Sequence, residues 1–142
     1  MSDCIDFYNG ICNSLTHMCA TCPDRRTAHH TLRSANQARQ KEWDQDNQIS
    51  LAYRGNELAG EVGEACNVIK KLERERMGIR GSRSNLSDLA AELADVVICA
   101  DLIAMQAGID LDAAVSAKFN ATSEKVGLQT RLMPRLSAGD GS

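Results

Sequence analysis

Two stretches of this chain carry apolar residues at helical spacing and constrain everything else. Leu58, Val62, Ala65, Ile69 and Leu72 step by 4, 3, 4, 3, and so do Leu89, Leu93, Val96, Ala100 and Ile103. Each series draws one stripe along an α-helix. The spacing predicts helices over about 50–77 and 86–107. Gly60 and Gly63 interrupt the first, at up to about 1 kcal/mol each against alanine. Their presence suggests that something approaches the backbone closely there. The run Met77-Gly78-Ile79-Arg80-Gly81-Ser82-Arg83-Ser84 breaks the pattern. Asn85 and Asp88 then offer capping chemistry for the second helix, and Gly108 ends it. A connection this short implies an antiparallel helical hairpin.

The flanking segments read the same way. A polar stretch over about 28–46 places Leu32, Ala35, Arg39 and Trp43 on helical turns. Asp110 caps a fourth helix from Leu111 to about Lys125, with Leu111, Ala114, Val115 and Phe119 expected on its buried side and Gly127 at its end. Proline occurs only at Pro23 and Pro134, and no strand pattern stands out. The expected fold is all-α: a four-helix bundle over 28–132, a Cys-rich extension over 1–27 and a frayed tail over 133–142. A chain of 142 residues, 43% of them hydrophobic, is one domain with a core. Two long helices with apolar faces and a third polar helix leave surface to bury, which predicts a homodimer or homotetramer.

Several function classes drop out. Net charge is −3 and aromatic residues are 4% of the chain, so neither a basic footprint nor stacking platforms for nucleic acid are present. No run of 18 apolar residues exists to cross a membrane. The first 20 residues lack a basic segment followed by an apolar one, so no secretory signal is expected, and the six cysteines are read as living in a reducing cytoplasm.

Carboxylates accompany both stripes. Glu57, Glu61 and Glu64 each stand one residue before a stripe residue, and so do Asp88, Glu92 and Asp95. Both helices therefore carry an acidic row on the same flank of the apolar row. Pairing the helices gathers Glu61, Glu64, Glu92 and Asp95. Two carboxylates about 5 Å apart repel by roughly 3 kcal/mol at an effective dielectric near 20. A divalent cation is the direct remedy, and oxygen-only ligands suit Mg²⁺ or Mn²⁺. A di-iron bundle would use Glu-x-x-His, and none of His17, His29 and His30 follows a glutamate by three. The rival reading is a solvated acidic face on a non-catalytic helical interaction module.

The segment Leu58-Ala59-Gly60-Glu61-Val62-Gly63-Glu64-Ala65, with Ile69-Lys70-Lys71 and then Glu92-Leu93-Ala94-Asp95-Val96, resembles the MazG-like all-α nucleotide pyrophosphohydrolases. Their signature is E-x-x-E followed, after a gap, by E-x-x-D; here 27 residues (65–91) lie between Glu64 and Glu92. Gly108-Ile109-Asp110-Leu111, Lys118-Phe119-Asn120 and Ser123-Glu124-Lys125 are similar to what often follows, so the likeness covers about 32–132. It implies hydrolysis of a (d)NTP to the monophosphate and pyrophosphate, with Mg²⁺ held by Glu61, Glu64, Glu92 and Asp95. A narrow dUTP or dCTP pyrophosphatase is an alternative within it.

Many members carry a further glutamate where this chain has Gly60. Glu57, one turn earlier on the acidic row, is the candidate for water activation, with metal-bound water alone as the alternative. Lys118, Asn120, Lys125 and Lys71 are candidates for the phosphates, although a lysine near a helix C-terminus also complements the dipole. Trp43 is a candidate for stacking on a base, against packing in the core or at a subunit contact.

The extension holds Cys4, Cys12, Cys19 and Cys22. Cys19-x-x-Cys22 is half of a structural zinc site, and no second Cys-x-x-Cys completes it. Zinc therefore ranks behind ordinary packing of small apolar side chains in a short helix. Cys66 and Cys99 are expected to be packed beside the stripes.

Overall fold

The computed structural model describes residues 31–133 and the backbone of two short strands nearer the N-terminus. Strand β1 (Phe7–Tyr8) pairs antiparallel with β2 (Ile11–Cys12), Phe7 opposite Cys12 and Tyr8 opposite Ile11. This ribbon corrects the expectation of a short helix and no strands. Its signal was local: Asn9-Gly10 lies between the strands, the dipeptide most favoured in two-residue hairpin loops. Cys19 and Cys22, and with them the zinc question, lie outside the described residues.

The remaining regular structure is helical: α1 (Leu32–Trp43), α2 (Leu51–Arg76), α3 (Leu86–Gln106) and α4 (Leu111–Lys125). Every start carries a side-chain cap. Thr31 with Ser34, and Asn85 with Asp88, form reciprocal capping boxes, while Ser50 and Asp110 accept from the amides of Tyr53 and Ala113. Three ends share one device. Gly78, Gly108 and Gly127 have φ of +68°, +68° and +74°, and the next amides (Ile79, Ile109, Leu128) donate back to the carbonyls of Arg74, Ala104 and Ser123. These are Schellman turns, which need the left-handed conformation that glycine adopts freely.

The main packing is the antiparallel pair α2–α3, with α1 laid against α3 and α4 in slighter contact with α3. The seam differs from the expected stripes by a small rotation. On α2, Arg54, Ala65 and Val68 are buried, while Leu58, Glu61 and Leu72 are half-buried. On α3, Leu102 and Ala104 are buried, while Leu89, Glu92, Val96, Cys99 and Ile103 are half-buried. The acidic row therefore enters the seam at Glu61 and Glu92. Stripe residues Val62, Ile69 and Leu93 fall outside it, at 43%, 44% and 49% exposure. On α4 the buried residues are Ser116 and Ser123; Leu111 is half-buried as expected, whereas Ala114, Val115 and Phe119 are exposed, which corrects their expected placement. Cys66 is exposed rather than packed. Gly60 and Gly63 also correct their reading: beyond the neighbouring backbone of α2 itself, no atom among the described residues lies within 4 Å of where a Cβ would stand on either.

A polar clamp fixes α1 on α3. Asp101, buried on α3, accepts from Arg33 Nε at 2.9 Å through Oδ1 and from Asn36 Nδ2 at 2.8 Å through Oδ2. Arg39 donates to Asn36 Oδ1, and Arg33 also donates to the carbonyl of Ile109. Asn36 is 1% exposed, yet its amide is satisfied on both sides. Removing one member of such a network leaves buried donors unpaired, whereas an exposed pair such as Arg76–Glu73 contributes little. Asp101→Ala is therefore expected to destabilise the fold by about 2–4 kcal/mol. Glu73→Ala should stay within about 0.5 kcal/mol of the wild type. Urea denaturation of both variants measures the contrast.

Candidate functional site

Glu61 on α2 and Glu92 on α3 stand opposite each other in the seam. Asp95, three residues beyond Glu92, extends from its solvent side. One carboxylate oxygen from each of Glu61, Glu92 and Asp95 lies within 4.8 Å of the others. Ligand oxygens around a Mg²⁺ at about 2.1 Å are separated by roughly 3–4 Å, so small side-chain rotations would close these three onto one ion. Glu64 is on the exposed flank and outside this group, although its charge still acts on Glu61.

The electrostatics follow from the packing. Glu61 is held above the ordinary carboxylate range, first by burial in the seam, then by the charges of Asp95, Glu64, Glu92 and Glu57. Cys99, one turn beyond Asp95, has its thiol pushed up by burial and then by Glu61, Glu57 and Asp95. Asp88 is instead held low, chiefly by the Ser84 hydroxyl and the Asn85 amide, with Lys71 adding its charge. Lys71 thus acts on the α3 capping carboxylate.

Glu57, one turn before Glu61, also acts on the group by its charge. Its Oε2 accepts from Arg54 Nη1 at 2.8 Å. Arg54 is buried, and its Nη2 donates to Gln40 on α1. Gln40 in turn donates to Asp44 Oδ2 at 2.9 Å, and Asp44 accepts from the amides of Gln48 and Ile49. Those contacts, led by the Ile49 amide, keep Asp44 below the usual carboxylate range against its burial. Sequence reading did not single out Arg54. Its only signal was a basic residue on the inward side of α2, one turn before an acidic one.

The other candidates lie on α1 and α4. Asn120 is engaged by the segment after α4: its Nδ2 donates to the Leu132 carbonyl and its Oδ1 accepts from the Leu132 amide. Lys118 and Lys125 are exposed on α4, and among the described residues no hydrogen bond or ion pair links either of them to the carboxylates. Trp43 is 68% exposed at the end of α1, which sets aside core packing within one chain. No helix among the described residues is long and apolar enough to cross a membrane.

No model of a known protein family matches this chain, and no match was found among curated proteins or solved structures.

The raised value at Glu61 fixes the sign of a pH effect. A carboxyl with a higher pKa in the folded state than in the unfolded chain keeps its proton longer when folded. Its stabilising contribution is complete below the ordinary carboxylate value and is lost as pH rises through the raised folded value. Metal-free protein should therefore lose thermal stability across that window. Glu61→Gln should flatten the loss and melt higher than the wild type at neutral pH. Melting curves in a chelator from acid to neutral pH test this, and identical pH dependence in both proteins would contradict it.

Proposed function

We propose that this chain is a Mg²⁺-dependent nucleoside triphosphate pyrophosphohydrolase that converts a (d)NTP and water to the (d)NMP and pyrophosphate. The observation that carries this reading is the convergence of Glu61, Glu92 and Asp95 from two antiparallel helices within 4.8 Å. The all-oxygen donor set favours Mg²⁺ or Mn²⁺ over softer metals. A bound cation would neutralise phosphate charge and lower the pKa of a coordinated water. Without one, these carboxylates would repel a triphosphate. Glu64, whose charge acts on Glu61 from the exposed flank, would be the fourth ligand. In the reaction the water oxygen bonds to the α-phosphorus and the α–β bridging oxygen leaves with pyrophosphate. The free oxygen of Glu57 accepts the water's proton. The likeness to MazG-like enzymes in the E-x-x-E and E-x-x-D pairs supports the same assignment. Lys118, Lys125 and Lys71 are the proposed phosphate contacts and Trp43 the proposed base contact. Preference for dUTP or dCTP would be a narrower form of this activity.

The chain also self-associates in this reading, as a homodimer or homotetramer. Val62 and Leu93 each follow a seam carboxylate by one residue. On antiparallel helices that places them on the same side of the hairpin. Ile69 and Val97 continue that face, with Val97 54% exposed. A contiguous apolar face of this kind marks an interaction surface, and a second copy presents the same face for two-fold pairing.

Two measurements check these statements. Pyrophosphate release across the eight common (d)NTPs should require Mg²⁺. Glu61→Gln and Asp95→Asn should each lower kcat by at least about 100-fold at unchanged helicity. Absence of Mg²⁺-dependent pyrophosphate release favours the non-catalytic helical module, and full turnover in both variants would contradict the assignment of these carboxylates. For assembly, sedimentation should find a dimer or larger species that Leu93→Glu converts to a folded monomer; a wild-type monomer at micromolar concentration would refute it.

A further inference from the structure

We propose that Arg54 is a positioning residue that aims Glu57 at the acidic group, an assignment that rests on the hydrolase reading above. Four observations lead to it. Arg54 is 3% exposed, so its guanidinium is fixed by packing and not by solvent. Its two terminal nitrogens bind different elements, Glu57 on its own helix and Gln40 on α1. Gln40 is anchored through Asp44 to the amides of Gln48 and Ile49, and the Ile49 carbonyl accepts from Gln106 Nε2 of α3 at 2.8 Å. The chain of bonds thus runs from the α1–α2 connection, itself tied to the end of α3, to one carboxylate beside Glu61. Finally, only one oxygen of Glu57 is taken. Oε2 accepts from Arg54, and no protein donor among the described residues reaches Oε1.

A carboxylate held at one oxygen and free at the other is suited to orienting a water. The pairing limits the directions Glu57 can take, and planar guanidinium geometry does this better than an ammonium. Arg54 also places a positive charge beside the carboxylates without occupying any of the three grouped oxygens. Its removal therefore has opposite effects on the two properties of the site. Metal affinity should rise, because a repelling cation is gone. Turnover should fall, because Glu57 is no longer aimed. A general loss of structure would lower both.

The test uses the full chain with Arg54→Gln, Arg54→Lys, Glu57→Gln and the Arg54→Gln/Glu57→Gln double variant, each checked for helicity. Mn²⁺ affinity is read by calorimetry on the metal-free protein, and kcat and KM by Mg²⁺-dependent pyrophosphate release. The expected result is Mn²⁺ binding at least about twofold tighter in Arg54→Gln, with kcat lowered at least about tenfold and KM little changed. Arg54→Lys keeps the charge, so its Mn²⁺ affinity should match the wild type while kcat still falls. Adding Arg54→Gln to Glu57→Gln should cost no more than about twofold further in kcat, because Arg54 acts through Glu57. Wild-type kcat in both Arg54 variants, multiplicative losses in the double variant, or weakened Mn²⁺ binding in Arg54→Gln would each overturn the assignment while leaving the hydrolase reading in place. A wild-type protein without Mg²⁺-dependent turnover would overturn both. If Arg54→Gln does not fold, Arg54→Lys alone decides between them.

Discussion

Mutual repulsion of carboxylates inside the α2–α3 seam is the constraint on which the rest of the structure turns. A helix pair that only needed to bury a stripe would place Val62, Ile69 and Leu93 in the seam and turn its acids to water. This pair departs from that pattern at no more than two positions on each helix, keeping Leu58, Ala65, Val96 and Ile103 inside. It is rotated so that Glu61 and Glu92 enter the contact while those apolar residues stay outside. Charge is expensive to desolvate, and the raised value at Glu61 records that cost. The opposition must be offset elsewhere, and the caps, the Schellman turns and the Asp101 clamp are where the fold holds itself together independently of the site.

The two polar networks divide the work. The Asp101–Arg33–Asn36 clamp lies between α1 and α3, with Arg33 reaching on to the Ile109 carbonyl and Asn36 accepting from Arg39. The Asp44–Gln40–Arg54–Glu57 chain ends instead on a carboxylate with one oxygen free. Buried polar networks with every member satisfied fix an arrangement, and one that stops at an open acceptor delivers that arrangement to whatever binds there. The buried guanidinium of Arg54 is also the positive charge closest in sequence to the acidic row of α2, which links folding of the hairpin to the polarity of its opening.

Helix positions were legible in the sequence because their causes are local. Periodicity marked α2 and α3, Asn85 and Asp110 marked starts, and Gly108 and Gly127 marked ends where a positive φ is required. The acidic group was legible in part, since fixed i, i+3 spacing puts Glu92 and Asp95 on one face of α3, while their meeting with Glu61 followed from the expected antiparallel pairing of the helices. What escaped depends on rotation and partners. A helix wheel does not say which side of a broad stripe meets the neighbour, so Val62 and Phe119 were assigned inward although both are exposed. The same limit hid Glu64's place on the flank. The partners of Arg54 and Asn120 were not legible, because long polar side chains choose partners across the fold, Gln40 in one case and the Leu132 backbone in the other. The β1–β2 pairing gave no periodic signal, because two strands of two residues each are too short to show alternation.

The central claim is that Glu61, Glu92 and Asp95 bind one divalent cation in common. Titrating the metal-free chain with Mn²⁺, and counting bound ion by electron paramagnetic resonance, tests this without any assumption about substrate. One saturable site per chain is expected in the wild type, and its loss in Glu92→Gln. Weak, unsaturable Mn²⁺ uptake that is the same in both proteins would contradict it.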